Sequence, residues 1–300
     1  MAEPGFCLAL GAFDGLHLGH QNVLRETEKG PGRKAALLFT KHPAAVLAGV
    51  SPPALLTGED REALLARWGI QPVYLDFSGV RDLSAEAFFS EILQNRLHAT
   101  ALCCGENYTF GQGGRGDASL LKTLCEAAGV RLHIAETAMF DGAPVSSSRI
   151  RRALQAGDVP AANAMLGRPF SYAFEVVAGD RRGRKLRFPT INQFFPAGFV
   201  RPKYGVYASR VRVGGALYPA VTNFGVRPTI GTNTARSETC ILDYSGDLYG
   251  QRVRVELLCY LRPEEKFPSL DALSAAIARD AARAREYVEK ACILGENSVK

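Results

Sequence analysis

Three hundred residues, 47% of them apolar, make about two domains' worth of chain, ample for a buried core. No run approaches the roughly 18 to 20 apolar residues of a membrane span, and no basic run precedes an apolar stretch in residues 1–12, so a soluble cytoplasmic protein without a secretory signal is expected. The net charge of +6 is uneven: residues 1–168 carry 16 Lys and Arg against 17 Asp and Glu, residues 169–300 carry 20 against 13, and the second half suits a polyanion. The seven cysteines are odd in number and scattered, with no C-x-x-C pair, which reads as buried free thiols rather than disulfides or zinc.

Apolar strand candidates in the first half are CLALG (7–11), KAALLFT (34–40), PVYLDF (72–77), TALCCG (100–105) and RLHIAE (131–136). Helix-like stretches alternate with them at 18–29, 59–69, 84–97 and 117–129. Continuous apolar strands between helices predict a doubly wound parallel sheet covered on both faces. The ligand of such a sheet sits at the C-terminal strand ends, where the loops 11–20, 40–43 and 105–116 fall. Two short helices are expected at 146–156 and 158–166, opened by Ser146 to Ser148 and Asp158, with the domain boundary near 160–170.

Beyond that boundary the period changes. YAFEVVAG (172–179), YGVYASRVRV (204–213), ALYPAVTNF (216–224), SETCILDY (237–244) and QRVRVELLCYL (251–261) are strand-like, with Gly/Asn/Asp turns between close neighbours. In the last, Val253, Val255, Leu257 and Cys259 are expected on one face, with Arg252, Arg254 and Glu256 on the other. An antiparallel barrel or sandwich follows. A closing helix over about 269–290 is expected to bury Leu270, Leu273, Ile277, Ala281, Ala284 and Val288.

Chemistry concentrates first in FCLALGAFDGLHLGHQNVL, residues 6–24. A strand, a glycine-bearing turn (Gly11 to Gly15) and a helix start aim free backbone N–H groups and the positive helix end at one point, suited to a phosphate. His17 and His20, three apart, share a helix face and can both reach that point. VSSSRIR (145–151) offers a second cradle of hydroxyls and arginines, including Ser147, Ser148 and Arg151. GENYTFGQGGRGD (105–117) is a glycine-dense loop whose Asn107, Tyr108 and Phe110 suit a flat ring.

In the second half, GDRRGRKLRFPTIN (179–192) is a basic glycine-bearing loop ending in Thr190 and Asn192, neutral oxygens two apart that suit Mg²⁺. Glu238, in the strand SETCILDY, is flanked by apolar and hydroxyl-bearing residues and is placed to take a proton from an attacking alcohol or simply to face solvent.

GAFDGLHLGH resembles the GxFDGxHxGH motif of nucleotidyltransferases, and VSSSRIR is similar to their late S-S-[ST]-x-I-R element. The order GAFDGLHLGH, FTKHP, GENYTFGQGGRGD, VSSSRIR resembles the FAD synthetase module of the bacterial bifunctional riboflavin kinase/FAD synthetases. GVYA, NFGVRPTIG, SETCILDY, DLYG and LRPEEKF with the terminal helix look like the riboflavin kinase module of the same family. The resemblance implies a Rossmann-like nucleotidyltransferase domain over 1–165 and a kinase β-barrel with a terminal α-helix over 166–300. It implies ATP as co-substrate, Mg²⁺ at Thr190 and Asn192, and riboflavin, FMN and FAD as substrates and products. It implies catalytic roles for His17, His20, Ser147, Ser148, Arg151 and Glu238. Nucleotide contacts are implied for Gly11, Phe13, Asp14, Gly15, Asn107, Phe110, Gly179, Gly183 and Arg184. No nucleic acid or membrane partner is expected.

Two departures stand in the kinase loop: Arg187 replaces the family's usual glycine and Ile191 its alanine. Three other readings follow: FAD synthesis alone with an impaired kinase loop, nucleotidyl transfer to another substrate, and a basic barrel on RNA backbone. The last lacks an aromatic-basic platform.

Overall fold

Alternating residues of one strand feed two different cores. In the computed structural model, which describes residues 5–178, 190–229 and 232–296, β1 (Phe6–Leu10) is the middle strand of a five-stranded parallel sheet. Leu8 and Leu10 pack with one layer of helices, Cys7 and Ala9 with the other, and all four are at most 2% exposed. A strand buried on both faces must read as continuously apolar, as FCLAL does.

After β1 come α1 (Leu18–Glu26), β2 (Arg33–Phe39), α2 (Pro43–Ala48), α3 (Gly58–Arg67), β3 (Gln71–Leu75) and α4 (Ala85–Ala87). Then follow β4 (Ala99–Gly105), a hairpin of β5 (Thr109–Phe110) and β6 (Gly116–Asp117), α5 (Ala118–Ala128), β7 (Arg131–Ala135), and a second hairpin of β8 (Met139–Phe140) and β9 (Ala143–Pro144). The sheet order is β3-β2-β1-β4-β7, so the direction of winding reverses between β1 and β4.

Helix α2 was not expected from the sequence. It is a short turn started by His42, whose Nδ1 accepts from the Ala44 N–H at 3.1 Å, and ended by Gly49 in the left-handed region. The expected helix over 84–97 exists but is wound differently: α4 runs on as a π-helix over Phe88–Arg96, shown by Leu97 N–H donating to the Ile92 carbonyl five residues back. Phe88, Phe89, Ile92 and Leu93 of this segment are all buried in one core.

The chain forms two compact units, Met1–Ser147 and Ser148–Lys300, whereas the break in the sequence pattern places the boundary near 160–170. Helices α6 (Ser147–Ala156) and α7 (Val159–Leu166) are followed by β10 (Phe170–Glu175), β11 (Thr190–Phe194), β12 (Gly205–Val213), β13 (Ala216–Thr229), β14 (Thr232–Ile241), β15 (Arg252–Arg262) and α8 (Leu270–Glu296). Helix α7 is tied to the strands of this unit by Asn163, whose Nδ2 donates to the Leu257 carbonyl while its Oδ1 accepts from Phe170 N–H.

The six strands pair antiparallel in the order β10-β15-β12-β13-β14-β11. Beyond the end of β10 an antiparallel bridge, Val177 N–H to the Asn192 carbonyl at 2.9 Å, joins the two edges and curls the sheet into a barrel. Inside lies an uncommon polar layer: Ser209 Oγ, Thr222 Oγ1 and Thr239 Oγ1 form a hydroxyl chain at 2.8 and 2.9 Å. Gln193, fully buried, donates through Nε2 to the Phe174 and Val253 carbonyls, both at 2.7 Å.

The expected single face of β15 is broken by a bulge. Ser209 pairs with Leu257 but Ala208 pairs with Cys259, so Leu258 is an extra residue. Val253, Val255 and Leu257 face the barrel interior, whereas Cys259 turns outward and packs with Leu261, Ala281, Ala284 and Tyr287 under α8. On α8 the buried stripe is Ala276, Asp280, Ala284 and Val288, with Leu273, Ile277 and Ala281 half-buried beside it; Leu270's side chain lies outside the described residues.

Asp280 is buried because it has a partner. Arg262 reaches Oδ2 through Nε at 3.0 Å and Nη2 at 2.9 Å, and stacks over Phe267. Arg262→Met is expected to cost about 3 to 5 kcal/mol by stranding a buried carboxylate, while adding Asp280→Leu recovers most of it. Calorimetric unfolding of the single and double variants checks this.

The free thiols behave as expected. Cys7, Cys103, Cys104, Cys125 and Cys240 are buried and unbridged. Burial pushes the Cys104 and Cys240 thiols up to about 11 and Cys125 to about 12, which keeps them protonated and inert.

Candidate active sites

A cavity of about 550 Å³ opens at the C-terminal ends of β1, β2, β4 and β7, across the winding reversal, a usual size for a small-molecule site. Its wall includes Gly11, His17, His20, Phe39, Phe77, Arg81, Asn107, Tyr108, Phe110 and Ser147. The turn that delivers the histidines is tightly wound, with Phe13, Gly15 and Leu16 all at positive φ (50°, 82° and 44°). A Cβ on Gly15 would lie 2.7 Å from Leu55 Cδ1, so both conformation and space require glycine there.

His17 caps α1. Its Nδ1 accepts from the His20 backbone N–H at 3.4 Å, so in the neutral ring the proton sits on Nε2. The two imidazoles stack with centroids 3.7 Å apart and planes 18° from parallel, side by side on the cavity wall.

Three of the residues expected as nucleotide contacts build the turn itself. Phe13 is wholly buried in the core below Gly11, so its ring supports the turn and is not a wall of the cavity. Asp14 fastens the turn: its Oδ1 accepts from Leu55 N–H at 3.0 Å and its carbonyl accepts from Ser147 Oγ at 2.8 Å. Gly15 gives the turn its shape. Ser147 thus joins the VSSSRIR segment to the histidine turn, an arrangement that neither motif reveals alone. Ser148, exposed, and Arg151, 9% exposed, follow on α6 and are counted with the second unit.

The aromatic loop is partly core. Tyr108 and Phe110 stack at 5.7 Å and 10°, and Phe110 also packs on Phe88; burial pushes the Tyr108 phenol well up. Asn107 is exposed at the rim. Arg81, absent from the sequence reading, lines the same cavity. It lies in no motif, and only the loop after β3 reaching the C-terminal edge could have pointed to it.

In the second unit, strand register assembles the other candidates. Asn192 stands directly opposite Glu238 and Thr190 opposite Cys240, so Thr190, Asn192 and Glu238 share the outer face of adjacent strands β11 and β14. Asn192 is 6% exposed, and its carbonyl is the one that closes the barrel. Glu238 forms an ion pair with Arg236, two residues back on the same strand face. The sequence reading missed this arginine, although period-two spacing in ARSET would have found it.

Ile191 points to the opposite face, opposite Thr239, so its bulk does not intrude on Thr190 and Asn192. Gly179, Gly183, Arg184 and Arg187 lie outside the described residues.

The comparisons with known proteins agree with this division. A family model described as FAD synthetase matches residues 1–149, and one described as riboflavin kinase matches 166–288. Curated relatives named bifunctional riboflavin kinase/FMN adenylyltransferase include one from Pseudomonas fluorescens, 37% identical over 93% of this chain and 92% of its own. Another, from Escherichia coli K12, is 35% identical over 95% and 93%. A crystal structure described as a macrolide-efflux protein from Streptococcus pneumoniae superposes with a TM-score of 0.85 at 30% identity over 95% of both chains. That description is not carried over: among the described residues no helix is long and apolar enough to cross a membrane, and both halves of this chain match flavin-enzyme models. The chain belongs to the bifunctional riboflavin kinase/FMN adenylyltransferase family.

Proposed function

We propose that the family's two reactions are divided between residues 1–165 and 166–300, with FAD made at the histidine cavity and FMN made at the Asn192–Glu238 face. Both reactions use ATP; riboflavin, FMN and FAD are their substrates and products. The observation that carries the reading is the pairing of two sites within one chain: stacked His17 and His20 at the winding reversal of a parallel sheet, and Asn192 opposite Glu238 in a barrel.

In FAD formation an FMN phosphate oxygen attacks the α-phosphorus of ATP, the new P–O bond forms, and the bond to the pyrophosphate leaving group breaks. The attacker is already an anion, so no protein nucleophile is needed. The work left to the protein is to hold crowded negative charge. His17 donates from Nε2 beside His20, Ser147 and Asp14 hold the turn, and Gly11 lets phosphate approach the backbone.

In FMN formation the riboflavin 5′-hydroxyl attacks the γ-phosphorus and gives up its proton to Glu238, as ADP leaves. Thr190 and Asn192 fit Mg²⁺ by donor chemistry: both offer neutral oxygens on one strand face beside Glu238. The ion, when bound, neutralises phosphate charge. Arg236, paired with Glu238 from the same strand face, orients its carboxylate.

Chromatography of products from riboflavin and Mg-ATP is the test. FMN followed by FAD is expected. FAD only when FMN is supplied would remove the kinase half, and neither product would remove both.

A further inference from the structure

The outer-face row of the barrel does not end at Glu238. Strand β13 pairs with β14 on the other side, and there Asn223 stands directly opposite Glu238. Asn192, Glu238 and Asn223 therefore lie in line across three adjacent strands, and side chains of directly opposed residues are within reach of one another.

The orientation of the Asn223 amide is fixed by chemistry. Its Nδ2 donates to Glu264 Oε1 at 2.9 Å, and a carboxylate can only accept, so the NH₂ end is committed to Glu264. The carbonyl oxygen, Oδ1, is forced the other way; it is shut off from solvent and has no hydrogen-bond partner. A buried acceptor left unmatched is costly in a finished structure and useful where a ligand supplies the donor.

The same strand face keeps space for Glu264. Gly225, two residues along the same face, makes room for it: a Cβ there would lie 2.6 Å from Glu264 Oε1 and 3.0 Å from Oε2. The segment carrying Glu264 leaves β15 at Arg262, which is anchored on Asp280, on the Pro263 carbonyl and over Phe267. Gly225 leaves room for Glu264, Glu264 accepts from the Asn223 amide, and Asn223 presents one acceptor next to the general base.

Resting on the kinase reading above, we infer that Asn223 Oδ1 receives a second hydroxyl of the polyol chain whose terminal hydroxyl is phosphorylated, and so selects a polyhydroxylated acceptor over a plain alcohol. Glu264 is a positioning residue that acts through Asn223. A site built around an acceptor rejects a ligand lacking the matching donor, because the acceptor then stays buried and unpaired.

The test compares riboflavin with an analogue whose ribityl chain is replaced by a hydroxypentyl chain, using the full-length protein with Mg-ATP. Asn223→Ala is expected to lower kcat/KM for riboflavin about tenfold, the worth of one neutral hydrogen bond, and to leave the hydroxypentyl analogue unchanged. Glu264→Ala, a change at an exposed side chain, is expected to shift the same ratio in the same direction by a smaller factor, and it decides the matter should Asn223→Ala not fold. FAD formation from FMN in the same preparations reports that the protein is intact.

Equal losses on both flavins, or no loss on either, would overturn the inference and leave the kinase reading standing. Absence of FMN from the unaltered protein would overturn both.

Discussion

Replacing His20 by alanine is expected to lower FAD formation from FMN by about 10²- to 10³-fold, the usual effect of removing one preorganised donor to transition-state charge, while FMN formation from riboflavin is unchanged. The substitution is a clean one. The group that orients His17 is the His20 backbone N–H, not its ring, so His17 keeps its partner and its tautomer. Alanine suits the third position of α1, so the helix start survives. What is lost is the second imidazole of a stacked pair on the cavity wall.

His17→Ala is the less clean companion: it also removes the α1 cap and should cost about 0.5 to 2 kcal/mol of stability. Measuring both reactions on one preparation of His20→Ala decides the matter. Equal loss of both in a folded protein would contradict the division of labour.

Legibility in the sequence followed physical range. The parallel sheet was readable because a strand covered on both faces has no polar face to hide, and FCLAL, KAALLF and TALCCG carry almost no polar residue. His17 and His20 were readable because their spacing is local and their setting, a strand running through glycines into a helix, is local too. The π-winding of 88–96 was not: an apolar pattern at i, i+1, i+4 and i+5 fits either helix type until packing chooses.

The outward turn of Cys259 was equally hidden, since a bulge shifts the period by one residue and leaves no mark in the strand itself. Phe13 sits inside the motif but works as a core residue, so motif membership told its place without its role. Arg236 and Asn223 acquire meaning only through strand register, which brings residues from distant parts of the sequence to one face. Asp280 can sit in a buried helix stripe only because Arg262 meets it, a pairing made by tertiary contact and not by local pattern.

Glu238→Gln is expected to lower kcat for FMN formation by about 10²- to 10⁴-fold, the range for loss of a general base, with little change in the KM for riboflavin and none in FAD formation from FMN. The glutamine keeps the shape and leaves a carbonyl oxygen for Arg236, so side-chain packing is preserved and the proton acceptor alone is removed. Two readings of Glu238 compete. If it is merely a solvated charge on a half-exposed strand, neutralising it changes stability by a fraction of a kcal/mol and turnover hardly at all. If it takes the proton, turnover falls while binding persists.

The register favours the second reading. A charge placed only for solubility has no need to stand between two asparagines, and Glu238 has Asn192 on one side and Asn223 on the other. Its ion pair with Arg236 comes from its own strand, so the pair fixes the direction of the carboxylate without linking separate parts of the barrel. A kcat that stayed within about twofold of the unaltered protein, well short of a general-base effect, would return Glu238 to the solvent-facing role.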